Sequence, residues 1–277
     1  MNIGVSSYSF RKYQKATGCS NIDLCDKAKE LGFDGIEFTD LKVDDPIALA
    51  KELRAHCEKI GLEITAYAIG ANFLCDDPEA EIARVCSEVD VCEALGAKLM
   101  RHDVCYKLPK EHLYSWREAA EEIAPRIRRV TEYAASKGLR TCTATHGYIF
   151  QDPARVEALI LKVGHPNYGW LCDMGNFLCA DADPVKAVTI AAPYAFHVHA
   201  KDFLYKAGGE CPDGFFTTSG KNWLRGTALG HGVVPVDQCI RILKAADYDG
   251  WLSLEFEGME DCIAAIETGY RYLRKHA

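Results

Sequence analysis

The chain of 277 residues is 48% hydrophobic and 26% charged, which supplies a large core and excludes a disordered, collagen-like or disulfide-stapled miniature fold. Lysine and arginine number 32 against 40 acids, a net charge of −8, so the basic excess of a protein that grips phosphate backbones is missing and no nucleic-acid partner is expected. No apolar run approaches the roughly 20 residues of a membrane span, and the opening MNIGVSSYSFRKYQ lacks a basic-then-apolar leader pattern, so no membrane association or secretion is expected.

The thirteen cysteines are odd in number and nowhere spaced as CxxC, which removes zinc-ribbon and thioredoxin readings. Several, such as Cys142, Cys172 and Cys239, sit among apolar or alternating residues where a small buried hydrophobe fits. The expectation is packed thiols in a reducing cytoplasm.

Taken in chain order, the opening strand IGVSSYSF is followed by a recurring unit: an amphipathic helix, a glycine break, then a β-type run ending in polar residues. It reads AKELGFDGIEF at 28–38, CEKIGLEITAY at 57–67 and CEALGAKLMRH at 92–102. It recurs as ASKGLRTCTATH at 135–146, HPNYGWLCDMGN at 165–176 and AADYDGWLSLEF at 245–256. Gly32, Gly61, Gly96 and Gly138 stand where a helix C-terminus needs a left-handed residue. They recur about every 30–40 residues, the length of one βα unit. Leu24, Ala28 and Leu31 form one apolar stripe, and Leu49, Leu53, Cys57 and Ile60 another. Trp116, Ile123, Ile127 and Val130 share a face of the longest helix, which Pro125 is expected to kink. With AFHVHAKD near residue 195, the strands total eight. Alternating βα units favour a parallel sheet with helices outside, and no GxGxxG turn supports a doubly wound sheet. The expectation is one α/β domain over residues 1–277, a (β/α)8 TIM barrel.

In such barrels the active site lies at the C-terminal ends of the strands, and alternate side chains point inward. Parity sends Leu252, Leu254 and Phe256 outward and Ser253 and Glu255 inward. It sends Phe196 and Val198 outward and His197, His199 and Lys201 inward. Asp173, Glu37, Ser6 and Tyr8 are likewise inward, and His102 is expected inward with Met100, leaving Arg101 structural. Three successive strands thus deliver Asp173, His199 and Glu255 to one opening. Two carboxylates and an imidazole suit a divalent cation with positions open for substrate oxygens. A single acid or histidine at a barrel mouth is more often a loop anchor; three at consistent parity reverse those odds.

At these residues the chain resembles the xylose isomerase-like TIM barrels described as sugar phosphate isomerases and epimerases. The likeness runs through IGVSSYSF, GFDGIEF, HGYIFQD, LCDMGNFL, HVHAKD, LGHGVVPV and YDGWLSLEFEG, nearly the whole chain. The resemblance implies one divalent metal (Mn, Mg, Co or Zn) held by a glutamate, an aspartate, a histidine and a second glutamate. The last three map to Asp173, His199 and Glu255. The first is absent: where many relatives carry Glu-Asn-His-Gly, this chain has Ala144-Thr145-His146-Gly147.

The expected activity is a metal-dependent isomerase or epimerase, or a related lyase, acting on a keto-sugar or sugar phosphate through an enediolate. Glu255 is the first candidate base and His146 the second catalytic group. Tyr8, Glu37, His102, Asn176, Lys201 and Arg225 are candidate substrate contacts, with a Lys201–Asp202 ion pair as the structural alternative for Lys201. Residues 203–235 read as a lid or substrate loop. The competing expectation is a non-catalytic sugar-binding barrel or accessory subunit. An endonuclease of the same barrel class fits less well, because Asn176 stands where those proteins have histidine. The aromatic C-terminal helix GYRYLRKHA leaves a homo-oligomer open.

Overall fold

The fold is seen in a computed structural model that describes residues 1–108 and 115–277. The glycine breaks deliver what their spacing predicts. Gly32, Gly61, Gly96 and Gly138 all have φ between +67° and +94°, the left-handed region that ends a helix and turns the chain back toward the sheet. Four helices begin with a device of their own, an Asp-Pro pair. Asp45, Asp77, Asp152 and Asp183 each accept a first-turn N–H, and the following proline occupies the first helical position.

The strands are β1 (Asn2–Ser6), β2 (Gly35–Thr39), β3 (Glu63–Ile69), β4 (Leu99–His102), β5 (Arg140–Ala144), β6 (Tyr168–Asp173) and β7 (Ala195–Ala200). β8 (Asp202–Lys206), β9 (Phe216–Thr217) and β10 (Trp223–Thr227) follow, and β11 (Trp251–Leu254) is last. β1 to β7 and β11 pair in parallel and close into an eight-stranded barrel. The helices around it are α1 (Arg11–Thr17), α2 (Asn21–Glu30), α3 (Pro46–Ile60), α4 (Pro78–Leu95) and α5 (Trp116–Ser136). α6 (Pro153–Val163), α7 (Pro184–Ala191), α8 (Val236–Ala245) and α9 (Cys262–His276) complete the layer. The chain is therefore a (β/α)8 TIM barrel, and α5 runs as one helix through Pro125.

The main core fills the space between strands and helices, including Met100, Trp170, Cys172, Val198 and Leu254. A smaller cluster of Ala66, Leu99, Cys142, Ala144 and Leu171 plugs the barrel interior. All thirteen cysteines are free thiols, most of them buried, as a packing role requires. No helix among the described residues is long and apolar enough to cross a membrane.

Parity fails at two strands. In β7 the register slips: Trp170 pairs with Ala195, but Leu171 pairs with His197. Phe196 falls in the bulge and packs against the interior plug instead of facing the helices. There its ring lies over Gly169, where a Cβ would approach to 2.7 Å. In β4, Met100 pairs with Tyr67 on the helix side, so Leu99 and Arg101 are the inward residues. His102 therefore points outward, fully buried between Phe73 and Tyr168.

Residues 203–235 are more ordered in kind than a loop. β8, β9 and β10 form an antiparallel sheet beside the mouth. Asp202 anchors its return, accepting N–H bonds from Phe203, Gly230, Gly232 and Val234 at 2.8–3.0 Å. That carboxylate is thereby committed, and Lys201 pairs elsewhere.

Candidate active site

At the C-terminal ends of the strands opens a cavity of about 710 Å3, lined by Asp173, His199, Lys201, Glu255, Asn176 and His146 among others. Glu37, on β2, is 0% exposed. Its carboxylate lies 2.9 and 3.1 Å from His199 Nε2 and 2.9 Å from His197 Nε2, with Ser6 Oγ at 3.5 Å. Burial alone would raise Glu37, but the two histidines bring it down to about 2.

Because Nε2 of His199 is engaged by Glu37, Nδ1 is the nitrogen left for the site. It faces Glu255 Oε2 at 3.3 Å and Asp173 Oδ2 at 3.6 Å. Asp173 is aimed by its own turn: Oδ1 accepts the N–H groups of Gly175 and Asn176 at 3.0 and 2.9 Å. Its Oδ2 is buried and, among the described residues, makes no well-directed hydrogen bond, having only the ion-pair contacts of His199 and Lys201 near it. The three facing atoms all lie within 4.8 Å of one another.

That arrangement fits a divalent cation. Bonds of about 2.0–2.2 Å to N and O donors place neighbouring ligand atoms roughly 3–3.5 Å apart, close to the two separations that His199 Nδ1 makes with Glu255 and Asp173. The imidazole–carboxylate contact behind His199 is the orienting partner that a metal-bound histidine needs. Ala144, on β5, brings no fourth protein donor.

Lys201 reaches the same carboxylates, its Nζ 2.5 Å from Glu255 Oε2 and 3.3 Å from Asp173 Oδ2. Burial opposes its charge, but Asp173 and Glu255 hold the ammonium well above the usual lysine range. Burial likewise opposes ionisation of Glu255, and Lys201 with His199 nevertheless holds it well below the usual carboxylate range. Asn176 Oδ1 accepts from Lys201 Nζ at 3.2 Å. Tyr8, on the turn after β1, sits at the rim with its hydroxyl 3.5 Å from Glu257 Oε2.

Of the residues singled out from the sequence, Asp173, His199, Glu255, Lys201, Glu37, Tyr8, Asn176 and His146 line this one cavity. His102 does not, for the parity reason given above. Arg225 does not either: in β10 the buried Leu224 packs with Phe203, which turns Arg225 to the other face, over the Phe215 ring at 5.3 Å. Glu257, Arg101 and Asp103 line the cavity unforeseen. Glu257 shares the inward parity of Ser253 and Glu255 and was legible there; burial pushes its carboxyl up, with Glu255 and Asp173 adding to it and Lys201 opposing.

A barrel whose sixth, seventh and eighth staves converge in this way defines a class, and sequence comparison assigns the chain to it. The chain belongs to the xylose isomerase-like TIM barrel family, whose model matches residues 25–276. It is 26% identical over 252 residues to a probable ketose 3-epimerase from Synechocystis sp., covering 84% of this chain and 77% of that protein. Among solved structures, a D-psicose 3-epimerase from Clostridium cellulolyticum, with D-tagatose, has a TM-score of 0.77 at 16% identity, covering 100% and 99% of the two chains. A xylose isomerase-like TIM barrel protein from Mycobacterium smegmatis in complex with magnesium has a TM-score of 0.71 at 19% identity, covering 97% and 94%.

Proposed function

We propose that the protein is a divalent-metal-dependent carbohydrate isomerase or epimerase that moves a proton next to the carbonyl of a ketose or ketose phosphate. The observation that carries this reading is the convergence of Asp173 Oδ2, His199 Nδ1 and Glu255 Oε2 on one point in the cavity. The likeness to a probable ketose 3-epimerase supports the substrate class.

Asp173, His199 and Glu255 would hold the cation. When bound, it supplies Lewis-acid polarisation of the carbonyl and offsets the charge that develops on oxygen. Glu255, kept ionised beside the Lys201 ammonium, takes the proton from the carbon beside the carbonyl. The C–H electron pair moves into the carbonyl to give the enediolate. Lys201, buried and charged, lowers the energy of that anion. His146, in the same cavity, serves the second proton transfer, to the other face or the adjacent carbon. A general acid–base group of this kind contributes about 10²–10⁴-fold.

The test is deuterium incorporation from D2O into a panel of ketoses and ketose phosphates with Mn2+, Co2+ or Mg2+ added. Exchange at one carbon, reduced at least about 100-fold by Glu255→Gln, is the expected result. Sugar binding without exchange under any metal would instead establish the non-catalytic barrel, a reading to which Ala144 on β5 lends some weight.

A further inference from the structure

The cavity carries a second assembly, built from the ends of β4 and β5. His146 Nδ1 lies 3.0 Å from Asp103 Oδ1. Arg101 donates to the same oxygen, and the Tyr106 hydroxyl donates to Oδ2 at 3.2 Å. The Asp103 side chain is 5% exposed, that of His146 49%. The carboxylate is thus buried behind the ring and the ring open to the cavity. Burial would raise the Asp103 carboxyl, but Arg101, His146 and Tyr106 together bring it to about 2.

The backbone sets this contact. Asp103 N donates to Ile69 O at 3.3 Å. Gly147 has φ +86°, and a Cβ there would lie 2.6 Å from Cys105 O, so the loop after β5 is pressed against the loop after β4. An ionised carboxylate at Nδ1 retains the ring proton there and leaves Nε2 with its lone pair. Nε2 makes no hydrogen bond among the described residues. A histidine recruited only to satisfy Asp103 would be superfluous, since Arg101 and Tyr106 already do so.

We infer that Asp103 and His146 form a carboxylate–imidazole dyad in which Nε2 of His146 exchanges the substrate proton and Asp103 is the positioning residue that fixes its tautomer. The inference rests on the proton-transfer reading above and assigns that reading's second group. In the reverse direction neutral Nε2 accepts the proton from carbon, the C–H pair enters the adjacent carbonyl, and Asp103 holds the resulting imidazolium, which in the forward direction delivers its proton to carbon. Glu255 serves the opposite transfer. The dyad occupies the part of the cavity beside Ala144.

Two readouts test it on the full-length protein. Imidazole 15N shifts of His146 in the wild type are expected to show the Nδ1–H tautomer, and Asp103→Asn is expected to lose it. Deuterium exchange into the responsive ketose is expected to fall about 10²–10⁴-fold in Asp103→Asn, as in His146→Gln, with the double variant no worse than either. Asp103→Glu should recover part of both signals. An Nε2–H tautomer in the wild type, or a tautomer lost in Asp103→Asn with exchange unchanged, overturns the dyad while wild-type exchange still upholds the reading beneath it. The expected tautomer with no exchange in the wild type overturns that reading and the dyad's catalytic role together.

Discussion

His199 can reach a cation only through the nitrogen that Glu37 leaves alone, and this makes Glu37 and Lys201 opposite controls on the same site. Glu37→Gln weakens the partner that orients the ring and should lower Mn2+ affinity about 10–100-fold. Lys201→Met removes an ammonium held 2.5 Å from Glu255 and 3.3 Å from Asp173, and should raise affinity at least about tenfold. Isothermal titration of both variants measures the pair; shifts in the same direction would contradict the assignment. His102 makes a separate statement about stability. Burial pushes its pKa down to about 4, so between pH 6.5 and 4 the unfolded chain binds a proton that the folded chain refuses. Stability is then lost as pH falls through that window, on the order of 3 kcal/mol by pH 4. In His102→Phe, urea unfolding from pH 6.5 to 4.5 should show about 2 kcal/mol less of this loss; parallel curves would show that His102 is not its source.

At the scale of elements, the repeated glycine before β2, β3, β4 and β5 is the clearest signal in the sequence, because a left-handed helix end has few substitutes. The Asp-Pro helix starts, found only in the structure, carry the same information from the other end. Alternation recovered β6 and β11 correctly but misplaced Phe196 and His102. A bulge adds a residue that no hydropathy pattern marks, and β4 offers only four residues from which to choose a phase. Arg225 was misplaced for a different reason: a segment read as a loop is an antiparallel sheet with its own inside and outside. Asp103 was invisible because its role depends on a contact between two loops distant in sequence. The Asp202 anchor gives this element its own prediction. Asp202→Ala strips the acceptor from four N–H groups, and the urea midpoint should report a loss of about 2–4 kcal/mol. An unchanged midpoint would mean that water replaces the carboxylate without cost.

For the whole molecule, barrel closure is what makes the chemistry local. Residues 37, 103, 146, 173, 199 and 255 lie on six different strands or strand ends, and only the closed ring brings them to one cavity. The interior plug below them separates the mouth from the opposite end, so changes at the base should act on stability and changes at the rim on turnover. The most direct measurement is anomalous diffraction from crystals of the protein soaked in Mn2+. The account expects one strong peak in bonding contact with Asp173 Oδ2, His199 Nδ1 and Glu255 Oε2. A map with no peak among those atoms, and the Lys201 ammonium still bridging the two carboxylates, would contradict it.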